Sequence, residues 1–511
     1  MNGRGLSRII SFVLICSLIL PLVYFGTSGE VSAFDASDYI SVRSFGATGN
    51  PTDDDTDAIK AAVAEAKRTG KTLFFPAGLY KVSKSVNIPA GVDIEGVTSA
   101  TNGPWQNLYD GESKGFKYND KSSSNFFDPD MNLGTWILAT NGSTNVDAGA
   151  TFQLSGDNTI KNIGFINLFS PPLYTAGITE TPPVIGVNIN ELTSTKGIII
   201  EDISLSNPYY GIAVYQGSLK NYNTSSSLSG KNSGPITIRN IMGAAMYRGI
   251  SVIGANGKVT IENIQFNYAT YEKQYITQHW NNCVDIDIAA SADVTITNVL
   301  SFGAHTGLQT SSAFKGSSVN LTASNINLEG EKPLILTASG RQTVSNGYLL
   351  LNNFADLSAK KDWVALTIHQ DKSSTVKPVY TIKNLVFQDS IGDIANPDIQ
   401  IDISVSTGAT IDMTNITMWN WNPGTNEPLI KYVHDSGTAS SCVITNLALC
   451  TSGQGLLATV SGSQYKTGEL TFKYGRFPTS VLASMNTSSG APVKFISCTK
   501  NNNQSNTLFS N

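Results

Sequence analysis

The stretch CVDIDI, Cys283 to Ile288, sets two aspartates two residues apart. Alternate residues of a strand share a face, so Asp285 and Asp287 would project from one side, about 6.5–7 Å apart. Two carboxyls on one face can cleave a glycosidic bond: one protonates the leaving oxygen, and the other activates water or attacks carbon. Further along come His305, in GAHTG, then Gln309 and Glu331; before the aspartates come Tyr210, Tyr215 and Arg248. Solvated strands also alternate polar residues, so the weight of this set depends on whether the fold brings it to one surface.

The elements that would position these residues are repeats. TIKNIGF, IIEDISL, TIRNIMG, TIENIQF, TITNVLS, TIKNLVF, DMTNITM and VITNLAL share a polar residue at Asn162, Asp202, Asn240, Asn263, Asn298, Asn384, Asn415 and Asn446. A short unit recurring at this spacing marks a solenoid. Apolar residues alternate around each shared position, so each phrase is a strand with one buried face. Asn tolerates a left-handed backbone and bonds nearby backbone groups, which suits a sharp corner. The fold expected from the repeats is all-β, a single-stranded parallel β-helix with its asparagines stacked in a ladder.

Counting sets a register. Eleven residues lead from Asp202 to Ala213, from Asn240 to Ser251 and from Asn298 to Gln309, each flanked by inward aliphatics. The coil after Asn263 is longer. With Val284, Ile286 and Ile288 inward, Asp285 falls in the column of Ala213, Ser251 and Gln309. Tyr210 and Arg248 then share one column, Tyr215 joins Asp287, and Glu331 joins His305. The extra residues lie in NYATYEKQYITQHWN, Asn267 to Asn281. Its Tyr268, Tyr271, Tyr275, His279 and Trp280 can stack on the apolar faces of sugar rings, or pack on the neighbouring coil. Asp285, Asp287, His305 and Arg248 are thus the candidate catalytic residues. Tyr210, Tyr215, Tyr271, Tyr275, His279, Trp280, Gln309 and Glu331 are the candidate substrate contacts. DIQIDIS, with Asp398 and Asp402, is a weaker acidic strand.

One segment is helical. TDDDTDAIKAAVAEAKRTGK offers Asp54 or Asp55 as N-cap, Gly70 as stop, and an apolar stripe of Ile59, Ala62, Val63 and Ala66. A solenoid exposes its core at both ends, so this helix is expected over the N-terminal end, its aspartates serving as caps. Residues 34–96 then form the cap and first coil, and 97–511 the body and C-terminal end. Residues 1–33, with Arg4, Arg8, the apolar run Ile9 to Phe25 and a small-residue site at Val31 to Ala33, read as a signal peptide or, failing cleavage, an anchor. A secreted protein without a stable membrane anchor follows.

This N-terminal segment, YISVRSFGATGN through GKTLFFPAGLYKVS, resembles the signature of the pectate-lyase-like superfamily over roughly residues 38 to 96. That group includes polygalacturonase-like hydrolases and phage tailspikes. The resemblance implies a right-handed parallel β-helix and action on polysaccharides. Of the polygalacturonase-like motifs, NCVDID and GAHTG keep the order of aspartates then histidine, but the Asn-Thr-Asp and Arg-Ile-Lys elements are missing. No equivalent stands out for the carboxylate cluster of calcium-type pectate lyases. Homogalacturonan is therefore a poor candidate substrate. The tailspike relatives are commonly trimers, which allows an oligomer, although no coiled-coil pattern supports one.

Charge excludes other classes. Only 14% of residues are charged and the net charge is −5, which predicts no nucleic-acid partner. Cys283, Cys442, Cys450 and Cys498 lack metal-ligand spacing, so neither a metal nor another cofactor is expected. Cys442 and Cys450 are close enough in sequence to pair or to stay buried as thiols. The leading expectation is a glycoside hydrolase. A polysaccharide lyase using Arg248 or His305 as base comes second, and a non-catalytic carbohydrate-binding β-helix third.

Overall fold

The computed structural model describes residues 36–97, 134–142, 144–167, 180–206, 208–220, 231–267, 283–289, 292–311, 318–351, 363–370, 376–389, 399–405, 408–419, 428–435, 438–450, 456–462, 468–478, 486–487, 493–502 and 505–508. The chain divides into two units, residues 1–39 and Ile40–Asn511, and the β-helix is the second. The leader, residues 1–33, lies outside the described residues. Among those described, no helix is long and apolar enough to cross a membrane.

Strands stack in parallel from coil to coil, building a right-handed β-helix with two long sheets. The longer sheet carries the repeated phrases. Its strands Ile198–Ser206, Ile236–Ala244, Lys258–Asn267 and Asp293–Ala304 pair in register, Ile200 beside Ile238, Ile261 and Ile296. The lateral sheet carries the candidate site on strands Tyr210–Tyr215, Arg248–Ile253, Val284–Ala289, Thr306–Thr310 and those that follow. One continuous apolar core fills the space between the sheets, with Ile212, Ile250, Ile286 and Leu308 on its lateral side.

Every shared corner residue is left-handed, with φ between 54° and 61° from Asn162 to Asn446. Asn325 and Asn346 have the same conformation. Their phrases, ASNINL and VSNGYL, carry Ala323 and Val344 where the others carry Ile or Met two residues before the corner, and do not stand out in the sequence. The side chains form a ladder in which each amide donates to the preceding coil. Asn240 Nδ2 reaches Asp202 Oδ1 at 2.9 Å, Asn263 reaches Asn240, Asn298 reaches Asn263, and Asn325 reaches Asn298. A second run joins Asn384 to Asn346, Asn415 to Asn384, and Asn446 to Asn415. Burial raises the Asp202 carboxyl above its ordinary range, the bond from Asn240 opposing it.

The helix Thr56–Thr69 ends at left-handed Gly70 and buries Ile59, Ala62, Val63 and Ala66 in the same core. It packs against the first strands, Thr72–Phe74 and Val86–Ile88. The acidic run divides its work. Asp54 accepts from Thr56 N at 3.1 Å, while Asp55, at the N-cap position, makes no side-chain cap bond. Its carboxylate turns back to accept from Thr48 N and Gly49 N.

Cys442 and Cys450 do not pair. Cys442 is buried in the core and Cys450 exposed, on one strand facing opposite ways. Burial pushes the Cys442 thiol up to about 12.

Candidate functional site on the lateral sheet

The register differs from the count by two residues at the long coil. Ser251 stands beside Asp287, which stands beside Gln309, so the column runs Ala213, Ser251, Asp287, Gln309. The insertion after Asn263 is two residues longer than the hydrophobic pattern implies. Tyr215 pairs with Ile253 and so with Ala289, not with Asp287. Tyr210 and Arg248 do share a column, continued by Val284 and Thr306.

Asp285 is not on the outer face. It occupies the place of Gly211, Gly249 and Gly307 on the neighbouring strands, one residue after the Tyr210–Arg248–Val284–Thr306 column. A Cβ on Gly249 would meet the Phe266 ring at 2.7 Å, and one on Gly307 would meet Ser301 Oγ at 3.0 Å. The column therefore points inward. Asp285 is fully buried and accepts from Ser301 Oγ at 2.5 Å. Asp285 and Asp287 thus project to opposite sides and cannot flank one bond.

Asp287 faces outward but is sealed. Arg248 Nε donates to its Oδ2 at 3.0 Å and Gln309 Nε2 to its Oδ1 at 2.9 Å. Neither carboxylate nor guanidinium is open: the side chains are 0% and 8% exposed. Arg248 also donates to Tyr247 O and lies 3.8 Å from the Tyr247 ring centre, a cation–π contact. Tyr247 stacks on Tyr209, and Tyr210 meets both rings edge-on. Ser251 is outward yet also fully buried, its hydroxyl lacking a hydrogen-bond partner, as is that of Thr306. Tyr210 and Tyr215 are buried too, so neither offers a ring for stacking. Tyr215 donates to Gln153 Oε1, and burial pushes its hydroxyl up to about 12.

The accessible acid–base pair lies beside this cluster. His305 Nδ1 is 3.0 Å from Glu331 Oε2, and the two side chains are 16% and 15% exposed. They begin neighbouring rungs, just before Thr306–Thr310 and Leu334–Leu336. The short contact lets one proton be shared between the imidazole and the carboxyl, so either member of the pair can act as an oriented general acid or base. A second group lies further along. Asp402 falls in the Asp287 column, its Oδ2 3.1 Å from His369 Nε2 and 3.8 Å from Lys431 Nζ. The DIQIDIS strand therefore has a histidine after all, supplied by the preceding rung. Periodicity alone cannot pair His369 with Asp402, because the coil length between them is irregular. Tyr268, Tyr271, Tyr275, His279 and Trp280, and also Asp398, lie outside the described residues.

Residues 39–271 match the family model described as rhamnogalacturonase A/epimerase, pectate lyase-like. The chain has the pectate-lyase-like fold. Solved structures extend the likeness over most of its length. DFA-IIIase from Arthrobacter chlorophenolicus, determined without its lid, aligns over 90% of this chain and 99% of its own, at 11% identity and a TM-score of 0.51. The N-terminal fragment of gene product 12 from bacteriophage phi29 aligns over 97% of this chain and 76% of its own, at 14% identity and a TM-score of 0.51. At such identities the likeness is one of fold. A glucan 1,3-beta-glucosidase of Cochliobolus carbonum is 40% identical over 68 residues, 13% of this chain and 9% of that protein. This chain thus spans under a tenth of that curated relative.

Proposed function

We propose that this chain is a secreted carbohydrate-active enzyme that hydrolyses glycosidic bonds of a polysaccharide on its lateral sheet. The observation that carries the reading is the His305–Glu331 pair, bonded across two rungs and partly exposed to solvent beside the sealed Arg248–Asp287–Gln309 cluster. Support of a different kind comes from the names of the matched family and of the glucan 1,3-beta-glucosidase.

Glu331 exchanges a proton with the glycosidic oxygen, and His305 holds its carboxyl in place. Asp287 is sealed, and Asp402, two rungs away and four strand positions along from Glu331, is roughly 16 Å off, too far to flank the same bond, so Glu331 is the one carboxyl assigned to the step. Arg248 and Asp287 position Gln309, whose amide borders the substrate face. Residues 1–33 direct export and are removed.

A panel of polysaccharides tests this. The purified protein should release reducing ends without the ultraviolet absorbance of an unsaturated uronate. Glu331→Gln should lower turnover by about 10²-fold or more, the scale of general acid–base catalysis, with unchanged melting, whereas Asp402→Asn should not lower turnover. Near-full activity in Glu331→Gln would remove that residue from the mechanism. An oriented imidazole also suits proton abstraction, so a lyase is the second reading. Reducing ends appearing together with that absorbance, both abolished by His305→Ala, would establish it.

A further inference from the structure

On the outer face of the longer sheet, one column runs Phe302, Glu329, Leu350, Gln388, Trp419 and Cys450. Trp419 is 49% exposed, whereas Trp136 and Trp363, the other tryptophans described, are buried. Its register neighbour Gln388 is half-buried and accepts at Oε1 from the Tyr348 hydroxyl. That bond fixes the amide plane, and among the described residues its NH₂ end has no hydrogen-bond acceptor, one rung from the indole.

We infer that Trp419 and Gln388 form a sugar-binding platform, distinct from the His305–Glu331 pair. An open indole face packs against the C–H face of a pyranose, and a fixed amide NH₂ donates to a ring hydroxyl. An apolar plane beside a single oriented donor suits a sugar better than a peptide or lipid, which would need a longer apolar strip. Leu350, two rungs from the indole in the same column, is buried, and Thr417, the outward residue before Trp419 on its strand, is polar, so no exposed apolar strip continues from the indole on these sides.

The position also gives the platform a purpose. Glu329 lies two residues before Glu331 and three rungs from Trp419, about 14 Å along the solenoid axis at ordinary strand spacing. A glycan lying along that axis would engage the platform several sugars from the reacting bond. The role in holding polymer for cleavage rests on the proposed function; the binding itself does not.

The test is migration in native gels cast with a soluble 1,3-β-glucan, a soluble uronate polymer, or neither, using the full mature chain. Wild type and Glu331→Gln should be retarded alike in at least one polymer gel. Trp419→Ala should weaken that retardation about tenfold or more in apparent affinity, the scale of one stacking contact. Trp419→Phe should retain most of it, and Gln388→Leu should fall between. Trp419 is exposed, so melting should be unchanged in all four variants. Equal retardation of Trp419→Ala and wild type would overturn the platform, as would no retardation of wild type in either polymer. Trp419-dependent retardation without cleavage would leave the platform standing and defeat the hydrolase reading. Cleavage without Trp419 dependence would do the reverse.

Discussion

Removing the Arg248 guanidinium tests whether the sealed cluster is a structural support. Arg248→Met keeps most of the aliphatic stem but removes the 3.0 Å ion pair to Asp287 and the contact over the Tyr247 ring. Asp287 is fully buried, so its charge would lose its ion-pair partner while keeping the bond from Gln309. Breaking a buried pair from one side costs about 3–5 kcal/mol, because the orphaned charge stays desolvated. The lost cation–π contact adds about 1 kcal/mol. Pairing the change with Asp287→Asn removes the orphaned charge, and the amide can still accept from Gln309. The double variant should therefore be more stable than Arg248→Met alone by about 2 kcal/mol or more. Chemical denaturation, followed by hydrogen exchange of strands Arg248–Ile253 and Val284–Ala289, gives both comparisons. If Arg248→Met costs under about 1 kcal/mol, or if Asp287→Asn worsens it, the pair does not hold these rungs together and the argument from burial fails.

Other outcomes follow from the ladder and the cap. Burial holds the Asp202 carboxyl above its ordinary value of 3.8, so its ionisation weakens the fold as pH rises through that raised range. Asp202→Asn should therefore stabilise at neutral pH by about 1 kcal/mol, and the gain should vanish in acid, where both side chains are neutral; a gain independent of pH would contradict this. Asn298→Ala loses two ladder bonds and places a Cβ-bearing residue without a polar side chain at φ 57°, which should cost about 2 kcal/mol or more by denaturant titration. Asn298→Gly should recover the backbone part, about 1 kcal/mol, but not the ladder part. Ile59→Asp would place a carboxylate in the core under the helix, so the variant should aggregate or lose its cooperative melt, as light scattering and calorimetry would show.

The solenoid was readable because its corner is chemically narrow. A left-handed residue whose side chain bonds along the stack favours Asn, so the phrases announce themselves. Asn325 and Asn346 escaped because Ala323 and Val344 stand where the other phrases have Ile or Met, although the backbone is the same. Alternation gave the inward faces of Ile212, Ile250, Ile286 and Leu308 correctly. It failed at Asp285, where two successive residues, Asp285 and Ile286, face the interior. The signal lay in YGIAV, RGISV and TGLQT, whose aligned glycines mark a position without room for an outward reading; VDIDI puts Asp285 in that place. Strict period-two counting cannot register such a kink. Contacts between coils, such as His369 with Asp402, depend on loop lengths that no periodicity encodes.

The asparagine ladder has a direction. Every amide hydrogen points to the coil before it, from Asn240 back to Asp202 and from Asn446 back toward Asn346. A coil added at the C-terminal side brings the donor to an acceptor already in place, and one added at the N-terminal side brings the acceptor to a waiting donor, so the stack can lengthen from either end without an unmade ladder bond. The ladder has a gap between Asn325 and Asn346, where the two runs meet. Pulled along its axis, the solenoid should part most readily at that gap, where, among the described residues, no side-chain bond joins the two runs.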